Sequence, residues 1–222
     1  MNVEVFVPRR ADGGRRDELW AWVRDRWARE VPWPVHEGHH DDGPFNRSAA
    51  INAAAAKAGA WDVGVIADSD SFCGTEQLRH AVALASSTGR ITFAYDRFMY
   101  LSRHGTDQVM GGYAGMWEPF VEWSLPGTCS SMVVVPRSLW DAVGGFDEGF
   151  EGWGMEDVGF SLACQALGGG MERVPGPVWH LHHTPSAENA PTPQFHRNVE
   201  RMKRYEACDY DPAKMAELLA SL

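Results

Sequence analysis

The sequence predicts an α/β protein with a Rossmann-like, mostly parallel central sheet flanked by helices. Short apolar runs of strand-forming residues alternate with longer segments of helical spacing, and this order is typical of parallel sheets with right-handed crossovers. One of these runs, residues 62–67, ends directly at Asp68 and Asp70, which are separated by one serine. Ligands of open α/β sheets bind beyond the carboxyl ends of the strands, so this Asp-x-Asp (DxD) pair marks the expected site.

The order of elements follows from apolar spacing and turn residues. We expect strands at 3–7, 31–36, 62–67, 91–95, 131–135 and 178–183, and helices at 15–30, 46–60, 74–89, 136–143, 158–167, 193–205 and 211–222. The first helix carries Leu19, Val23 and Trp27 at four-residue spacing, which makes one apolar stripe. Two prolines exclude a helix from the second strand. Residues 103–128 interleave glycines with aromatic residues, so we expect a long irregular segment that is either functional or a surface excursion.

Length and composition are those of an ordinary soluble globular protein, since the 222 residues are 44% hydrophobic and 23% charged. We expect one domain over 1–222, divided into a first half at 1–100, a second half at 101–192 and C-terminal helices at 193–222. A net charge of −10 argues against a general binder of the DNA backbone, although a local basic pocket is compatible with it.

Cysteine usage and hydropathy indicate the compartment. The four cysteines are widely spaced and contain no C-x-x-C pair, which favours reduced thiols in a cytoplasmic protein over disulfides or a zinc site. The sequence shows no signal peptide and no run of eighteen apolar residues, so we expect no membrane span.

Carboxylates and histidines suggest a metal site. Asp68 and Asp70 offer hard oxygen ligands that suit Mg²⁺ or Mn²⁺, although two acids at this spacing also occur in ordinary polar turns. His180 and His182 are two residues apart on the last expected strand, so their side chains should point the same way, with His183 opposite. Histidines at this strand end would complete a metal site begun by the aspartates.

A second acidic site precedes the helix expected at 158–167. Glu156 and Asp157 follow Gly152-Trp153-Gly154. Acids at a helix start are favoured by the helix dipole, which is the simplest explanation. The tryptophan supports a functional one, because its ring can stack on a sugar while a carboxylate accepts a proton from a sugar hydroxyl.

These motifs together resemble GT-A-fold glycosyltransferases. Phe45-Asn46-Arg47-Ser48 and Val65–Asp70 are similar to segments of glycosyltransferase family two. The turn at 144–157 is similar to that of β-1,4-galactosyltransferases, chondroitin-polymerase domains and polypeptide N-acetylgalactosaminyltransferases, and Val178-Trp179-His180 resembles their metal-binding strand. The motifs cover roughly residues 3–183 in the family's order.

The resemblance implies a metal-dependent enzyme that moves a sugar from a nucleotide-sugar, a UDP-sugar, to an acceptor hydroxyl with inversion. The first half would bind the nucleotide-sugar and the second the acceptor. Mn²⁺, or else Mg²⁺, would be the cofactor. Asp157 would be the general base, and Glu156 would orient hydroxyls. The resemblance assigns the nucleotide-sugar to Pro8, Arg9, Asp41, Asp42, Arg47, Asp68 and Ser69. It assigns the metal to Asp68, Asp70 and His180, with His182 as the substitute, and the acceptor to Trp153 and Gly154.

Two other functions are consistent with parts of the sequence. A nucleotidyltransferase shares the sheet topology and would use the basic, glycine-containing segment 8–16, but it does not explain the turn at Trp153. A non-catalytic carbohydrate-binding module would explain the tryptophans but not the acids and histidines. The acceptor stays open among a glycan, a protein, a small molecule and a modified nucleobase in DNA. The short chain resembles a bacterial or viral catalytic unit.

Overall fold

The structure, a computed structural model, describes residues 1–184 and 192–222. The strands are β1 (Val3–Pro8), β2 (Val35–Gly38), β3 (Val63–Ala67), β4 (Ser71–Cys73), β5 (Ile91–Phe93), β6 (Arg97–Leu101), β7 (Val121–Pro126), β8 (Met132–Pro136), β9 (Met171–Arg173) and β10 (Pro177–His180). The helices are α1 (Arg15–Glu30), α2 (Arg47–Lys57), α3 (Thr75–Thr88), α4 (Arg103–Met110), α5 (Arg137–Val143), α6 (Glu156–Gly168), α7 (Pro193–Glu206) and α8 (Pro212–Ala220).

The central sheet has the strand order β2-β1-β3-β8-β5-β9. β1 pairs in parallel with β2 and β3, and β5 pairs in parallel with β9. β8 runs antiparallel to both of its neighbours, β3 and β5. The predicted α/β fold with a mostly parallel central sheet flanked by helices is therefore confirmed, with β8 as the exception.

Helices cover both faces of this sheet, and each face has its own core. Val65 of β3 packs with residues of α1 and α3, including Val23 and Val82. Its neighbour Ile66 packs on the opposite face with residues of α2, α5 and α6, including Ile51. This division follows from the alternation of side chains along a strand. A strand buried on both faces reads as a continuous apolar run, which is why β3 is recognisable in the sequence.

A second sheet of four strands, in the order β4-β10-β6-β7, differs from the expectation. The segment 103–128 is not irregular, because it forms α4, a short 3-10 turn at Glu118–Phe120 and the edge strand β7. Most of β7 is exposed, so it carries no apolar run that would predict a strand. β4 and β9 have three residues each, and neither they nor β6 are among the predicted elements.

The second sheet brings the two halves of the expected metal site together. β10 pairs antiparallel with β4, and this register places His180 opposite Ser71, the residue that follows Asp70. β10 ends at His180 rather than at His183, and α6 begins at Glu156 rather than at Val158. Both differences alter the directions of side chains at the site.

Close packing between β2 and α2 fixes the position of α2 against the central sheet. A Cβ atom added at Gly38, the last residue of β2, would lie 1.7 Å from the carbonyl oxygen of Ala50 in α2. No side chain fits this distance, so substitution must push the helix away from the strand.

We therefore expect Gly38→Ala to lower the free energy of unfolding in urea by about 1–3 kcal/mol. Gly74→Ala is the control, because a Cβ there would lie 3.6 Å from its nearest neighbour, Gln77. Gly74 is the N-cap of α3, where alanine is less favourable than glycine, so the control should lower stability by no more than about 1 kcal/mol. Equal effects of the two substitutions would show that the contact between β2 and α2 does not limit packing.

Candidate active site

The acidic residues after β3 and those at the start of α6 converge on one side chain, Arg47, in the first turn of α2. Nη2 and Nε of Arg47 lie 2.7 and 3.2 Å from Oδ1 of Asp68. Nη1 donates to Oδ1 of Asp157 and lies 3.7 Å from Oε1 of Glu156. All four side chains are largely shielded from solvent, with at most 25% of each exposed. Three carboxylates thus share one guanidinium.

This charge balance controls protonation of the acidic turn. Burial raises the pKa of Asp157 to about 8, and Glu156 and Asp68 add to the effect, while Arg47 only partly opposes it. Burial also raises the pKa of Glu156. One cation cannot neutralise three buried carboxylates, so a proton is retained among the acids near neutral pH. Asp157 is therefore protonated at pH 7 and ionises as the pH rises through about 8.

Backbone geometry holds the acidic turn in place. Gly152, Gly154 and Met155 all have positive φ angles, of 66°, 102° and 79°, so this turn needs conformations that few residues other than glycine adopt. Nδ2 of the buried Asn198, in α7, lies 2.8 Å from the carbonyl oxygen of Glu151 and 3.0 Å from that of Gly154. These bonds fix the turn against α7.

Trp153 lies at the surface of the same turn. Its side chain is 46% exposed and stacks on the ring of Phe195 in α7, with 5.4 Å between the ring centroids. One face of the indole is packed and the remainder is open to solvent. Such an arrangement provides a rigid apolar surface for a flat ligand.

Asp70, His180 and His183 form a group that can hold a metal ion, with their ligand atoms all within 4.8 Å of one another. Nε2 of His180 lies 3.5 Å from Oδ1 of Asp70, and Nε2 of His183 lies 3.1 Å from Oδ2. Burial would raise the pKa of Asp70, but the two histidines outweigh it and hold the pKa below its ordinary value. Burial lowers the pKa of His180, which favours the neutral, metal-binding form of its ring.

The histidines differ from the expectation in one respect. β10 ends at His180, so the alternation of a strand does not extend to the residues that follow. The backbone N–H of His182 donates to Oγ1 of Thr106 at 2.8 Å, and the chain then turns so that His183 faces Asp70. The prediction that His183 points away from His180 is wrong, because His183 belongs to the metal group together with His180, whereas His182, the expected substitute for His180, does not.

Asp68 also lies outside the three-residue metal group. Its carboxylate accepts from Arg47 and from Oγ of Ser131, which is 2.8 Å away. Ser131 has a φ of 70°, an uncommon conformation for a serine, and it precedes the antiparallel β8. Asp68 therefore connects the acidic turn to the sheet, while Asp70 faces the histidines.

The other residues expected at the nucleotide lie around this centre. Pro8 ends β1 beside Gly38, and Ser69 is half-buried between the two aspartates. The guanidinium of Arg9 is already engaged, because it lies 2.5 Å from Asp17 and 2.8 Å from Glu37. Asp41 and Asp42 are exposed on the loop that precedes α2.

Three side chains at the site were not identifiable from the sequence as site residues. They are Arg16, which contacts His183; Asn198, which holds the acidic turn; and Ser131, which binds Asp68. Each belongs to an element distant in the chain from its partner, so no local spacing signals the contact. Arg16 lies in a basic, glycine-containing segment, and that composition was its only signal.

Comparison with known proteins identifies the class. The family model described as the N-terminal domain of galactosyltransferase matches residues 115–185, less than half of the chain. The matched segment includes the acidic turn and two of the three members of the metal group. The fold is that of GT-A-fold glycosyltransferases and the matched segment is similar to a galactosyltransferase domain, so the predicted resemblance is confirmed and the predicted enzyme class is supported.

Solved structures of such enzymes share the fold. The catalytic domain of Drosophila β1,4-galactosyltransferase 7, in complex with xylobiose, has a TM-score of 0.57 and 18% identity over 90% of this chain and 80% of its own. GalNAc-T7 with UDP, GalNAc and Mn²⁺ has a TM-score of 0.56 and 12% identity, covering 99% of this chain and 54% of that one. TarS of S. aureus has a TM-score of 0.58 and 13% identity, covering 100% and 42%.

A bacterial relative is known from sequence. An uncharacterised protein of Sinorhizobium fredii (strain NBRC 101917 / NGR234) is 26% identical over an alignment of 195 positions that covers 78% of this chain. The matched region is 22% of that protein, so the chain spans about a fifth of its relative's length. Within the described ranges, no helix is both long and apolar enough to cross a bilayer.

The raised pKa of Asp157 predicts a stability effect that depends on pH. The pKa in the folded protein, about 8, lies above the ordinary value of 3.8, so the free energy of unfolding falls as the pH rises between these values. Asp157→Asn should leave Tm nearly unchanged at pH 6, where Asp157 is protonated. At pH 9 the variant lacks the costly buried charge, and we expect its Tm to exceed that of the wild type by about 2–4 °C.

Asp147→Asn is the control for this experiment. Burial opposes ionisation of Asp147, but the hydrogen bond from Arg201 outweighs it and lowers the pKa. Its amide variant should lose stability at both pH values, as measured by thermal unfolding followed by circular dichroism. A fall in Tm of Asp157→Asn at pH 9 would contradict the charge balance described around Arg47.

Proposed function

We propose that this protein transfers a sugar from a nucleotide-sugar, a UDP-sugar, to an acceptor hydroxyl in a metal-dependent reaction with inversion. The observation that carries the proposal is the continuity between the metal group and the acidic turn. Asp70 belongs to the metal group, Asp68 lies two residues before it, and Asp68 and Asp157 are bound by the same guanidinium. Two residues of extended chain span about 7 Å. The cation and the base would therefore act within one pocket.

The donor set of the metal group fits a divalent transition ion. One carboxylate and two imidazoles are less suited to Mg²⁺, which prefers oxygen ligands throughout. Mn²⁺ is the ion named in the complex of GalNAc-T7 with UDP, and we propose it here. Asp70, His180 and His183 would hold it, and its chemistry is to neutralise negative charge on the diphosphate leaving group.

Asp157 has the properties of a general base. A base works best when its pKa lies near the working pH, and burial has brought that of Asp157 to about 8. Arg47 donates to this carboxylate and so orients it and stabilises its charged form. In our proposal Asp157 takes the proton from the acceptor hydroxyl, and Glu156 orients hydroxyls beside it. Attack from the side opposite to the leaving group inverts the anomeric carbon.

The acceptor is expected to lie against Trp153. The exposed part of this ring is held in place by Phe195, and Gly154, the next residue, packs against the same phenylalanine, since a Cβ atom there would lie 3.1 Å from its ring. The structure of the Drosophila enzyme was determined with xylobiose, an acceptor-type sugar. A carbohydrate hydroxyl is accordingly the acceptor that we propose.

Metal binding can be tested with neighbouring histidines. His183→Gln should weaken Mn²⁺ binding, measured by isothermal titration calorimetry, by at least about tenfold. His182→Gln, its matched control, should leave the affinity unchanged because this residue lies outside the metal group. A loss of affinity in His182→Gln but not in His183→Gln would reject the proposed ligand set.

Catalysis is tested by incubating the protein with Mn²⁺, a panel of UDP-sugars and carbohydrate acceptors. Asp157→Asn should lower kcat by about 10²–10⁴-fold and leave UDP binding unchanged, because Arg47 still has an oxygen to donate to. Glu76→Gln, at an exposed acid outside the site, is the control. Proton NMR of the product should show inversion. Retention of configuration, or full activity of Asp157→Asn, would remove the base role from Asp157.

A further inference from the structure

Arg16 lies in the first turn of α1, next to the metal group. Its half-buried guanidinium reaches across to the end of β10, where Nη2 lies 3.3 Å from Nδ1 of His183. The positive charge is close enough to favour the ionised form of Asp70 as well. Arg16 thus adjoins the cation site from the side of α1.

The position of this arginine is not explained by the stability of the helix. Cations in the first turn of a helix are disfavoured by the helix dipole. Two neighbouring arginines are neutralised, since Arg15 binds Glu18 and Asp107, and Arg9 binds Asp17 and Glu37. Across residues 1–184 and 192–222, Arg16 has no carboxylate within ion-pair distance.

The contact with His183 is also one that metal binding would break. Nδ1 of His183 lies 3.3 Å from Arg16 and 3.0 Å from the carbonyl oxygen of Thr184. It can accept from the arginine or donate to the carbonyl, but it cannot do both. A neutral imidazole that ligates through Nε2 carries its proton on Nδ1. That proton would donate to Thr184, and Arg16 would lose its acceptor.

We propose that Arg16 binds the diphosphate of the nucleotide, using the donors that are released from His183 when the metal group is filled. This inference rests on the proposed function. Arg47 already faces three carboxylates and Arg9 faces two, so neither cluster has a net positive charge that would attract phosphate oxygens. The planar guanidinium of Arg16 can donate two parallel hydrogen bonds to a diphosphate, which an ammonium group cannot.

The charges of the site agree with this assignment. A divalent cation, the ionised Asp70 and Arg16 sum to two positive charges, which complement the negative charges of a diphosphate. Without Arg16 the cation and Asp70 together would carry one positive charge. The order of binding also follows from this contact, because Arg16 becomes free to bind a phosphate only after the metal group is filled. Arg16 should therefore contribute to binding of diphosphates and not to binding of the metal.

Calorimetry on the whole chain tests this division. Titrations of Mn²⁺ alone, then of UDP, UMP, uridine and inorganic pyrophosphate with Mn²⁺ present, are compared between the wild type and Arg16→Gln. We expect Arg16→Gln to lower the affinity for UDP and for pyrophosphate by about 10–100-fold, because a charge-assisted hydrogen bond is lost. Binding of UMP should weaken less, and the Mn²⁺ and uridine affinities should not fall.

Arg15→Gln is the matched control, since it removes a charge from the adjacent position and should leave all five affinities unchanged. Arg16→Lys separates geometry from charge and should restore UDP binding only in part. Wild-type affinity for UDP in Arg16→Gln would overturn the role of Arg16, as would a loss of Mn²⁺ affinity, which would make its contact with His183 structural. If the wild type binds Mn²⁺ but no nucleoside diphosphate, the proposed function fails together with this inference.

Discussion

The arrangement of the site depends on the ion pairs of Arg47. This side chain leaves the first turn of α2 and binds Asp68, after β3, and Asp157, at the start of α6. It therefore joins segments that are about 110 residues apart in the chain. A single cation among three carboxylates stabilises the assembly but leaves excess negative charge. Burial, together with this excess charge, raises the pKa of Asp157 and prepares it to exchange a proton near neutral pH.

The two sheets position different residues of the site. The central sheet sets Asp68 against Arg47 and Ser131, while the second sheet pairs β10 with β4 and so places His180 beside Asp70. The two aspartates of one short turn consequently serve different partners. Asp68 belongs to the network of the acidic turn, and Asp70 belongs to the metal group. In the proposed reaction this division keeps the base and the metal close together without mixing their ligands.

Much of the fold and part of the site could be predicted from the sequence for physical reasons. Buried strands such as β3 read as apolar runs, and glycine-bounded acids such as those after Trp153 stand out from the surrounding chain. The second sheet was missed because β4 has only three residues and its edge strand β7 is mostly exposed. The place of His183 in the metal group was missed because it depends on where β10 ends, which is a property of its pairing with β4 rather than of its own residues.

The most direct test of the proposed site is the position of the metal in crystals grown with Mn²⁺ and UDP. Anomalous diffraction near the manganese absorption edge locates the ion without reference to the chain. We expect a peak in contact with Asp70, His180 and His183, with the diphosphate beside it and Asp157 facing the same pocket. A peak held by other side chains, or bound UDP with no peak at this group, would contradict the proposed site.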